Sequence, residues 1–449
     1  MSLKVYGDID YTTLANYSGR GYITTCGVAA EAISRNYVVV RKRLTVAQHT
    51  RRAFLAAAAG LTVAGSAGIG WADTAHSRPS GAESELDGLD VPEFKLTSYS
   101  QHVRPFVTAW GKTVEDWYPA FAAITQDMTA TGGGRLIVPA GRYHISGHVL
   151  FDLPVVSVHL RQGSHVELVG SPDVFLGAPL GFFGNAKPGE PIENRIQRDF
   201  AAVFGPGAIG YPADQLQRYP HENGVAMSYI KTAIMDGVHV RHVPGKGVTA
   251  QFGCNRIIMR NCTIGVTSDS AVERNYRGQC SIVAQGGLSF DRRTASDALF
   301  TDVVVENNTV NSLSVRGVHA SYCRDVKVTN NTLAPSWGAG LVLQGVAKAA
   351  VENNVFAKTS AGVRAGDNIA TTGYPLAEGE HEDAVILGNV AEPQLLGNQL
   401  GGHSHRHCVF SWTDPRYPHY PAGVAYARGN RWSQGSAAVF GGAPQWDAG

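Results

Sequence analysis

A repeat with a fixed spacing constrains the fold of this chain more than any other feature. A valine-rich strand followed by paired asparagines recurs, and Asn308, Asn331 and Asn354 are 23 residues apart. A glycine followed by alternating apolar residues recurs with the same spacing at Gly317 and Gly340. A fixed period with short strands in each repeat is typical of a solenoid. Because the leucine skeleton of leucine-rich repeats is absent, the repeat predicts an all-β, right-handed parallel β-helix with asparagines stacked at its bends.

The composition agrees with that fold and excludes several classes of function. The 449 residues include 52 glycines, and 38 Lys and Arg nearly balance 37 Asp and Glu. Phosphate binding needs a clustered basic excess, so the charge balance argues against nucleic acid and membrane surfaces as partners. A hydrophobic content of 44% excludes a disordered chain. The cysteines that follow Cys26 have no metal-type spacing, which favours buried free thiols over a disulfide scaffold.

An export signal is predicted within the N-terminal region. Arg51 and Arg52 precede an apolar, Ala/Gly-rich run that ends near Ala72. A basic segment, an apolar run and small residues are typical of a secretory signal, and the paired arginines resemble a twin-arginine signal. The run is too short and too poor in Leu and Ile for stable membrane insertion. We therefore expect a secreted, extracellular protein.

The sequence divides into four predicted segments. Residues 1–40 lack periodicity and are expected to be an unstructured extension or an over-extended reading frame. Residues 41–72 form the predicted twin-arginine-type signal, and the polar residues 73–104 a linker and N-terminal arm. Residues 105–440 are expected to form one β-helix domain.

The beginning of the solenoid carries a second pattern. Residues 114–128 have the periodicity of an amphipathic helix, which leads into Gly-Gly-Gly at 132–134, a strand and Pro-Ala-Gly at 139–141. This order resembles the opening of the pectate-lyase-like superfamily of β-helix proteins, in which the helix caps the solenoid. Residues 163–170 and 204–210 are similar to early turns of polygalacturonase-type members. The catalytic phrases of polygalacturonases are absent, so the resemblance implies the fold rather than the reaction.

Insertions into the repeat predict where a functional site lies. Extra residues follow the strand predicted at Leu288–Phe290, and others cover Asp367–Asp383 and Thr413–Pro421. The spacing places these three insertions at the C-terminal end of the same strand of the turn. Another insertion, Thr267–Gln285, precedes the Leu288–Phe290 strand. Because loops on a rigid scaffold carry function, we expect a cleft between these insertions.

Side chains alternate along a strand, so one set faces the core and the other faces outward. The residues predicted to face the core are Leu288, Phe290, Val318, Ala320, Leu341, Leu343, Val363 and Ala365. The outward set includes Gln251, Asp291, His319, Gln344 and Arg364, on turns that stack about 4.8 Å apart. Such a polar row suits hydrogen bonding to sugar hydroxyls.

Asp291 is the acidic residue predicted on this strand face, and its carboxylate could protonate or attack a glycosidic bond. An ion pair with one of the two arginines that follow it is the alternative. A glycosidase needs a second carboxylate about 5–9.5 Å away. Asp269, Glu273 and Asp297 on flanking loops fit this distance better than Asp367, which lies three turns further on. The sequence does not choose among these three.

The remaining polar residues are assigned binding or basic roles. His319 is a candidate base or sugar ligand, with a solvated surface histidine as the alternative. Arg364 could hold a substrate carboxylate or act as the base of a lyase, with a solvated side chain as the alternative. The predicted substrate-binding residues are Gln251, Arg292, Gln344, Arg364 and Asp367.

No metal or other cofactor is expected. His403, His405 and His407 alternate on one strand, but they lack an acidic partner nearby. The acidic stretch at residues 378–383 would bind Ca²⁺ if the protein were a lyase, and a solvated loop is the favoured interpretation.

These features predict an exported enzyme that cleaves or transfers glycosidic bonds through carboxylates. It would be a glycoside hydrolase or a glycosyl-transfer enzyme of the fructotransferase type. A polysaccharide lyase or uronan C5-epimerase is the second hypothesis, and a non-catalytic carbohydrate-binding adhesin or spike is the third. The expected partner is a polysaccharide or oligosaccharide, and the expected assembly is a monomer or a homotrimer.

Overall fold

Successive strands of this chain stack in parallel and wind into a solenoid. The computed structural model describes residues 91–170, 177–184, 196–213, 215, 223–243, 245–265, 280–285, 301–312, 316–335, 339–357, 383–401, 407–412, 423, 426–431 and 437–441. The predicted extension at residues 1–40 and the predicted signal at 41–72 lie outside the described residues.

Each turn contributes one strand to each of three faces. The first face contains β1 (Glu93–Lys95), β4 (Gly133–Val138), β7 (Val155–Leu160), β10 (Arg198–Phe204), β13 (Ile230–Asp236), β16 (Arg256–Arg260), β19 (Asp302–Glu306), the C-terminal halves of β21 (Arg316–Thr329), β23 (Leu341–Glu352) and β25 (Asp383–Leu396), and β28 (Tyr426–Arg428). The second face contains β3 (Thr113–Asp116), β5 (Gly141–Ile145), β8 (Ser164–Leu168), β11 (Ala208–Gly210), β14 (His239–Arg241), β17 (Thr263–Gly265), β20 (Thr309–Ser312), β22 (Thr332–Pro335), β24 (Val355–Ala357) and β26 (Gln399–Gly401). The third face contains β6 (Val149–Phe151), β9 (Leu180–Phe183), β12 (Val225–Ser228), β15 (Lys246–Gln251), β18 (Cys280–Gln285), the N-terminal halves of β21, β23 and β25, β27 (His407–Trp412) and β29 (Ala437–Gly441).

A short N-terminal arm and a helix pack against the first turn. β1 pairs in parallel with β4, so the sheet begins before residue 105, where the sequence analysis started the domain. A 3-10 helix, Leu96–His102, and then α1 (Tyr118–Ala130) follow, and Phe121, Ile124 and Met128 of α1 are buried in the core. No helix among the described residues is long and apolar enough to cross a membrane.

The predicted helix at residues 114–128 begins later than expected. Residues 113–116 form β3, which pairs antiparallel with β2 (Arg104–Val107). Val114 and Asp116 are buried and Glu115 is exposed, which is the alternation of a strand. Pro119 in the first turn of α1 fits a helix start at Tyr118, because proline lacks the N–H that this turn leaves unpaired.

The interior is apolar, as the predicted alternation requires. Val318, Ala320, Leu341 and Leu343 are all fully buried in one core cluster, which confirms their predicted inward direction. Val318 pairs with Leu341 and Ala320 with Leu343, so identical positions of successive turns lie on one another. The other four residues of the predicted inward set lie outside the described residues.

Paired asparagines make the bend between the first and second faces. The first of each pair, Asn307, Asn330 or Asn353, has a φ of 55°, 57° or 54°, a left-handed conformation that asparagine tolerates well. The second of each pair is buried and hydrogen-bonds to its equivalent on the next turn. This conformation turns the chain from the first face to the second within two residues.

The buried asparagines form the predicted ladder. Asn308 donates through Nδ2 to Oδ1 of Asn331 over 3.0 Å, and Asn331 donates likewise to Asn354 over 2.9 Å. Asn398 and Asn430 continue the ladder in the same way, over 3.0 and 2.9 Å. The three asparagines spaced by 23 residues therefore stack at successive bends, as predicted.

The glycine repeat reflects a close backbone approach at the start of the third-face strands. A Cβ on Gly317 would lie 2.5 Å from the carbonyl oxygen of Gly340, and one on Gly224 would lie 2.5 Å from that of Gly247. Carbon atoms are not found this close to a carbonyl oxygen, so glycine is required at both positions. The predicted stacking of Gly317 and Gly340 is confirmed.

Three of the cysteines are buried and form no disulfide. Cys254, Cys262 and Cys323 are each at most 2% exposed. Burial raises the pKa of Cys254 and Cys262 to about 12, which keeps both thiols protonated and unreactive at neutral pH. For these three cysteines, the predicted free buried thiol is confirmed.

One buried histidine on the first face makes stability depend on pH. His159 is 4% exposed, its Nε2 lies 3.1 Å from Ser157 Oγ, and its ring packs on Phe204 with centroids 4.9 Å apart. Burial, and then the charges of Arg135 and Arg161, lower the pKa of His159 to about 4. The unfolded chain, with a histidine pKa of about 6.5, then binds more protons between these values. The contribution of neutral His159 to the free energy of unfolding is therefore complete above about pH 6.5, and it is lost as the pH falls through about 4.

We expect His159→Gln to reduce the acid sensitivity of folding. Between pH 7 and pH 5 the parent should lose about 2 kcal/mol of unfolding free energy from this histidine, and the variant should not. Denaturant unfolding at both pH values measures the difference. His102→Gln, at an exposed position, should change the free energy of unfolding at pH 7 by no more than about 0.5 kcal/mol. An equal pH dependence in His159→Gln and the parent would contradict the assignment.

Candidate functional site

The long connections between described strands border the third face. Residues 169–179, 211–224, 266–279 and 358–382 precede third-face strands, and residues 184–197, 286–301 and 413–425 follow them. From β4 to β26, the bends from the first to the second face are only two or three residues long. β18 has a long connection on each side, 266–279 before it and 286–301 after it. The third face is therefore the face that insertions flank, as the sequence analysis expected.

The strand predicted at Leu288–Phe290 lies outside the described residues, and an earlier segment occupies that place in the stack of the third face. The third-face strand of that turn is β18, which pairs with β15 on one side and β21 on the other. Ile282 and Ala284 face the core, and Val283 and Gln285 alternate with them. The apolar stretch at 282–284, in which Ile282 and Val283 are β-branched, fits the stack of neighbouring strands. Gln285 therefore holds the strand position that the prediction gave to Asp291.

The insertion near residue 367 is also displaced. The sequence predicts a strand at Val363–Ala365, outside the described residues, with the insertion after it, whereas the described third-face strand of this turn is β25, which starts at Asp383. The connection at 358–382 therefore precedes the strand instead of following it. The length of the repeat does not distinguish the two cases, because an insertion before a strand and one after it lengthen the repeat equally.

One polar side chain of each turn aligns along the third face. Parallel pairing brings Ser228, Gln251, Gln285, Ser321 and Gln344 into a single register, one strand spacing of about 4.8 Å apart. We call these five residues the polar row. All five are at most 7% exposed. Ala250 and Leu343 belong to the core cluster, so the alternation along β15 and β23 directs the next residues, Gln251 and Gln344, away from it.

Sequence reasoning missed two members of the polar row. Ser228 follows a strand signal that starts at Gly224, and extending the alternation there by one step would have included it. Gln285 carries no such signal, because the insertions on both sides of β18 remove its fixed spacing from Gln251 and Ser321.

His319 lies beside the polar row. Its strand partner is Val342, and its Nε2–H donates diagonally to Oε1 of Gln344 over 2.9 Å. The residue is 7% exposed, so the alternative of a solvated surface histidine is wrong. When Nε2 carries the proton of the neutral ring, the lone pair lies on Nδ1, and this is the atom able to take up a proton.

The proposed catalytic carboxylates are not among the described residues. Asp291, Arg292 and Asp297 belong to 286–301, Glu273 belongs to 266–279, and Arg364 and Asp367 belong to 358–382, all outside the described part. Within the described strands β12, β15 and β18 and the third-face halves of β21 and β23, no outward position carries Asp or Glu. The described floor supplies amides, hydroxyls and one imidazole, so it can form hydrogen bonds and accept a proton.

Metal ligation is found nowhere in the described part of the chain. No group of three or more His, Cys, Asp or Glu side chains there could hold an ion. His403 and His405, and residues 378–382 of the acidic stretch, lie outside the described residues.

One protein family and several solved structures are similar to this chain in fold. A family described as "Right handed beta helix region" matches residues 218–356. Among solved structures, the A-module of the mannuronan C-5 epimerase AlgE4 of Azotobacter vinelandii is 14% identical, covering 75% of this chain and 87% of its own, with a TM-score of 0.46. An alginate lyase from Paenibacillus sp. str. FPU-7 is 14% identical, covering 72% and 96%, with a TM-score of 0.37. The tailspike protein of E. coli bacteriophage HK620, in complex with a pentasaccharide, is 13% identical, covering 88% and 70%, with a TM-score of 0.44.

Among curated proteins, none matches the sequence. The family match covers the central turns, and the parallel strand order continues the same architecture on both sides of them. The chain is a right-handed parallel β-helix protein, as its resemblance to the pectate-lyase-like superfamily implied.

Proposed function

We propose that the protein is a carbohydrate-active enzyme that binds a polysaccharide along its third face and cleaves or transfers glycosidic bonds there. The polar row forms the floor of this site, and the connections that flank the face supply its walls and its carboxylates. The observation that carries the proposal is the polar row itself, a line of hydrogen-bonding side chains on the one face that insertions border.

The chemistry of the row fits a glycan. A polysaccharide presents repeated hydroxyl groups along an extended chain, and a glutamine side chain carries both donors and an acceptor for such groups. The spacing of about 4.8 Å along the row repeats over five turns. Low solvent exposure strengthens hydrogen bonds, and it suits the floor of a deep cleft better than an open surface.

The position of the two connections beside β18 supports carboxylate catalysis. Glu273 precedes this strand, and Asp291 and Asp297 follow it. Both connections therefore leave the solenoid from the ends of the strand that carries Gln285, in the middle of the polar row. A pair of carboxylates is the usual machinery of glycosidic bond cleavage, one as acid and one as base or nucleophile.

A second candidate is β-elimination or C5-epimerisation of a uronan. His319 favours it, because this residue is the one ionisable group at the outward positions of β12, β15, β18 and the third-face halves of β21 and β23. Its Nδ1 lone pair would abstract the C5 proton, and Arg364 is the proposed group for the substrate carboxylate.

A panel of acidic and neutral polysaccharides tests the proposal with the full-length protein. New reducing ends without ultraviolet absorption are expected for hydrolysis, and rearranged or shortened glycans without net new reducing ends are expected for transfer. A new ultraviolet absorption from a double bond would support the lyase instead, and binding without any product would support an adhesin. Absence of both binding and product across the panel would overturn the third-face assignment.

Substitutions in the polar row test whether the activity depends on the third face. Gln285→Ala is expected to lower kcat/KM about 3- to 10-fold, the loss of one or two hydrogen bonds to substrate. Gln394→Ala is the matched control, because Gln394 is exposed on the first face. Thermal unfolding of both variants separates loss of binding from loss of fold.

A further inference from the structure

A cleft lies on the outer side of the second face, away from the third face and the polar row. It has a volume of about 310 Å³ and is walled by β3, β5 and β8, by residues around 212, and by the hairpin turn that carries Trp110 and Lys112. We call it the second-face cleft. A volume of this size suits a ligand of one or two sugar rings.

The floor of the second-face cleft is built by strand register. Arg142 pairs with His165, and His144 pairs with Glu167, so four polar side chains of two successive turns meet on the outer side of β5 and β8. His144 Nε2 lies 3.3 Å from Glu167 Oε2. Glu167 is 7% exposed, so this carboxylate lies at the bottom of the cleft.

The protonation states of the floor follow from its packing. Burial alone would raise the pKa of Glu167, but the hydrogen bond from His144 and the charges of His165 and Arg142 hold it below its ordinary value. Burial lowers the pKa of His165 to about 4; Glu167 opposes this shift and Arg142 adds to it. At neutral pH the floor therefore holds an ionised Glu167 and a neutral His165.

One buried nitrogen in the cleft has no partner. Nε2 of His165 is shielded from solvent, and within the described part of the chain it makes no hydrogen bond. A buried polar atom without a partner costs about 1–3 kcal/mol, so its retention in a cleft points to a ligand that supplies the missing bond. A sugar hydroxyl can act there as donor or as acceptor.

The rim of the cleft adds charge and an apolar wall. Lys112 and Arg142 are exposed cations at the mouth, whereas the carboxylate of Glu167 is already engaged by His144. The rim therefore favours an anion, which Arg can hold with two hydrogen bonds. Trp110, with Val114 and Pro212, supplies an apolar surface suited to the carbon face of a sugar ring.

We propose that the second-face cleft is a binding site for a carboxylate-bearing sugar, that is, a uronic acid residue of an acidic glycan. Trp110 packs on the ring, Arg142 and Lys112 hold the carboxylate, and His165 and Glu167 hydrogen-bond the ring hydroxyls. The inference stands on this cleft alone and does not require catalysis at the third face. It gives the protein a second point of attachment to an acidic polysaccharide.

Calorimetric titration of the full-length protein with monosaccharides tests the proposal. Glucuronate and galacturonate are expected to bind with a Kd of roughly millimolar size, as a ligand this small allows. Glucose, galactose and acetate should each bind at least about tenfold more weakly, since each lacks either the carboxylate or the ring. Inorganic phosphate that binds as tightly as the uronates would show a plain anion site and overturn the sugar assignment.

Variants locate the bound uronate. Arg142→Gln and Trp110→Ala should each weaken uronate binding about tenfold or more, and Arg428→Gln, an exposed arginine on the first face, should not. Gln285→Ala in the polar row should leave this binding unchanged. Uronate binding that survives both cleft substitutions, or that depends on Gln285 instead, would overturn the second-face site while leaving the proposed function intact. Thermal unfolding checks that each variant is folded.

Discussion

Asn331→Ala is expected to destabilise the protein by about 4 kcal/mol. The side chain is 1% exposed, and its Nδ2 donates to the carbonyls of Val305 and Thr329 and to Oδ1 of Asn354. Its Oδ1 accepts from both the backbone N–H and Nδ2 of Asn308. Alanine would leave several buried groups without partners at about 1–3 kcal/mol each, partly relieved by local rearrangement. Denaturant unfolding of parent and variant measures the loss.

The neighbouring asparagine provides the matched control. Asn330 is exposed and serves the bend through its φ of 57°, a conformation that glycine adopts freely. Asn330→Gly should change the free energy of unfolding by no more than about 0.5 kcal/mol. If the two substitutions proved equally mild, the buried ladder would not be what holds successive bends together.

The ladder also predicts coupling between turns. Asn331 and Asn354 share a hydrogen bond, so the double variant Asn331→Ala/Asn354→Ala should cost less than the sum of the two single variants. Each turn of a solenoid is stabilised mainly by contacts with its neighbours, and a break in the ladder therefore weakens the stacking of adjacent turns first.

The ladder could be predicted from sequence because its determinants are local and periodic. In each turn an asparagine with a left-handed backbone conformation is followed by a buried asparagine, so the pair recurs every 23 residues in the sequence. The same reasoning found the inward side chains of β21 and β23, where two connected turns contain no insertion. Periodicity identifies a residue's place only where the number of residues per turn is constant.

Insertions explain why the third face was predicted less well. The connections on both sides of β18 break the period, and Gly287 followed by Leu288 and Phe290 repeats the glycine pattern that begins other third-face strands. What selects residues 280–285 instead is the packing of Ile282 and Ala284 between β15 and β21, an interaction across turns that no short motif records. Gln285 therefore holds the strand position that the sequence predicts for Asp291, which lies outside the described residues, and the role of Asp291 stays a prediction.

Part of the second-face cleft, by contrast, could have been predicted from the repeat spacing. Arg142 and His165, and likewise His144 and Glu167, are separated by the period of the repeat, so the spacing alone would have stacked them. Trp110 and Lys112 could not be found in this way. They lie in an antiparallel hairpin outside the repeat, and only tertiary packing brings them to the cleft.

Asp291→Asn is expected to lower turnover by about 10³-fold or more on the substrate that the panel identifies. Asparagine keeps the size of the side chain but can neither donate a proton to the leaving oxygen nor attack the anomeric carbon. Loss of such a group removes about 4 kcal/mol or more of transition-state stabilisation. A surface ion pair with the arginines that follow Asp291 would instead contribute about 0–1 kcal/mol to stability and nothing to rate. Turnover and thermal unfolding, measured on the same preparation, separate these two roles.

Asp199→Asn is the matched control for this substitution. Asp199 is an exposed first-face residue whose Oδ1 lies 2.6 Å from Nζ of Lys231, so its loss should leave turnover unchanged and alter stability by no more than about 1 kcal/mol. Glu273→Gln and Asp297→Asn complete the set, because carboxylate chemistry needs a partner for Asp291, and one of these two variants should lose turnover to a similar degree. Near-normal turnover in Asp291→Asn would remove it from the reaction. If all three substitutions left turnover intact, catalysis would have to pass to His319, and the uronan mechanism would become the better account of the third face.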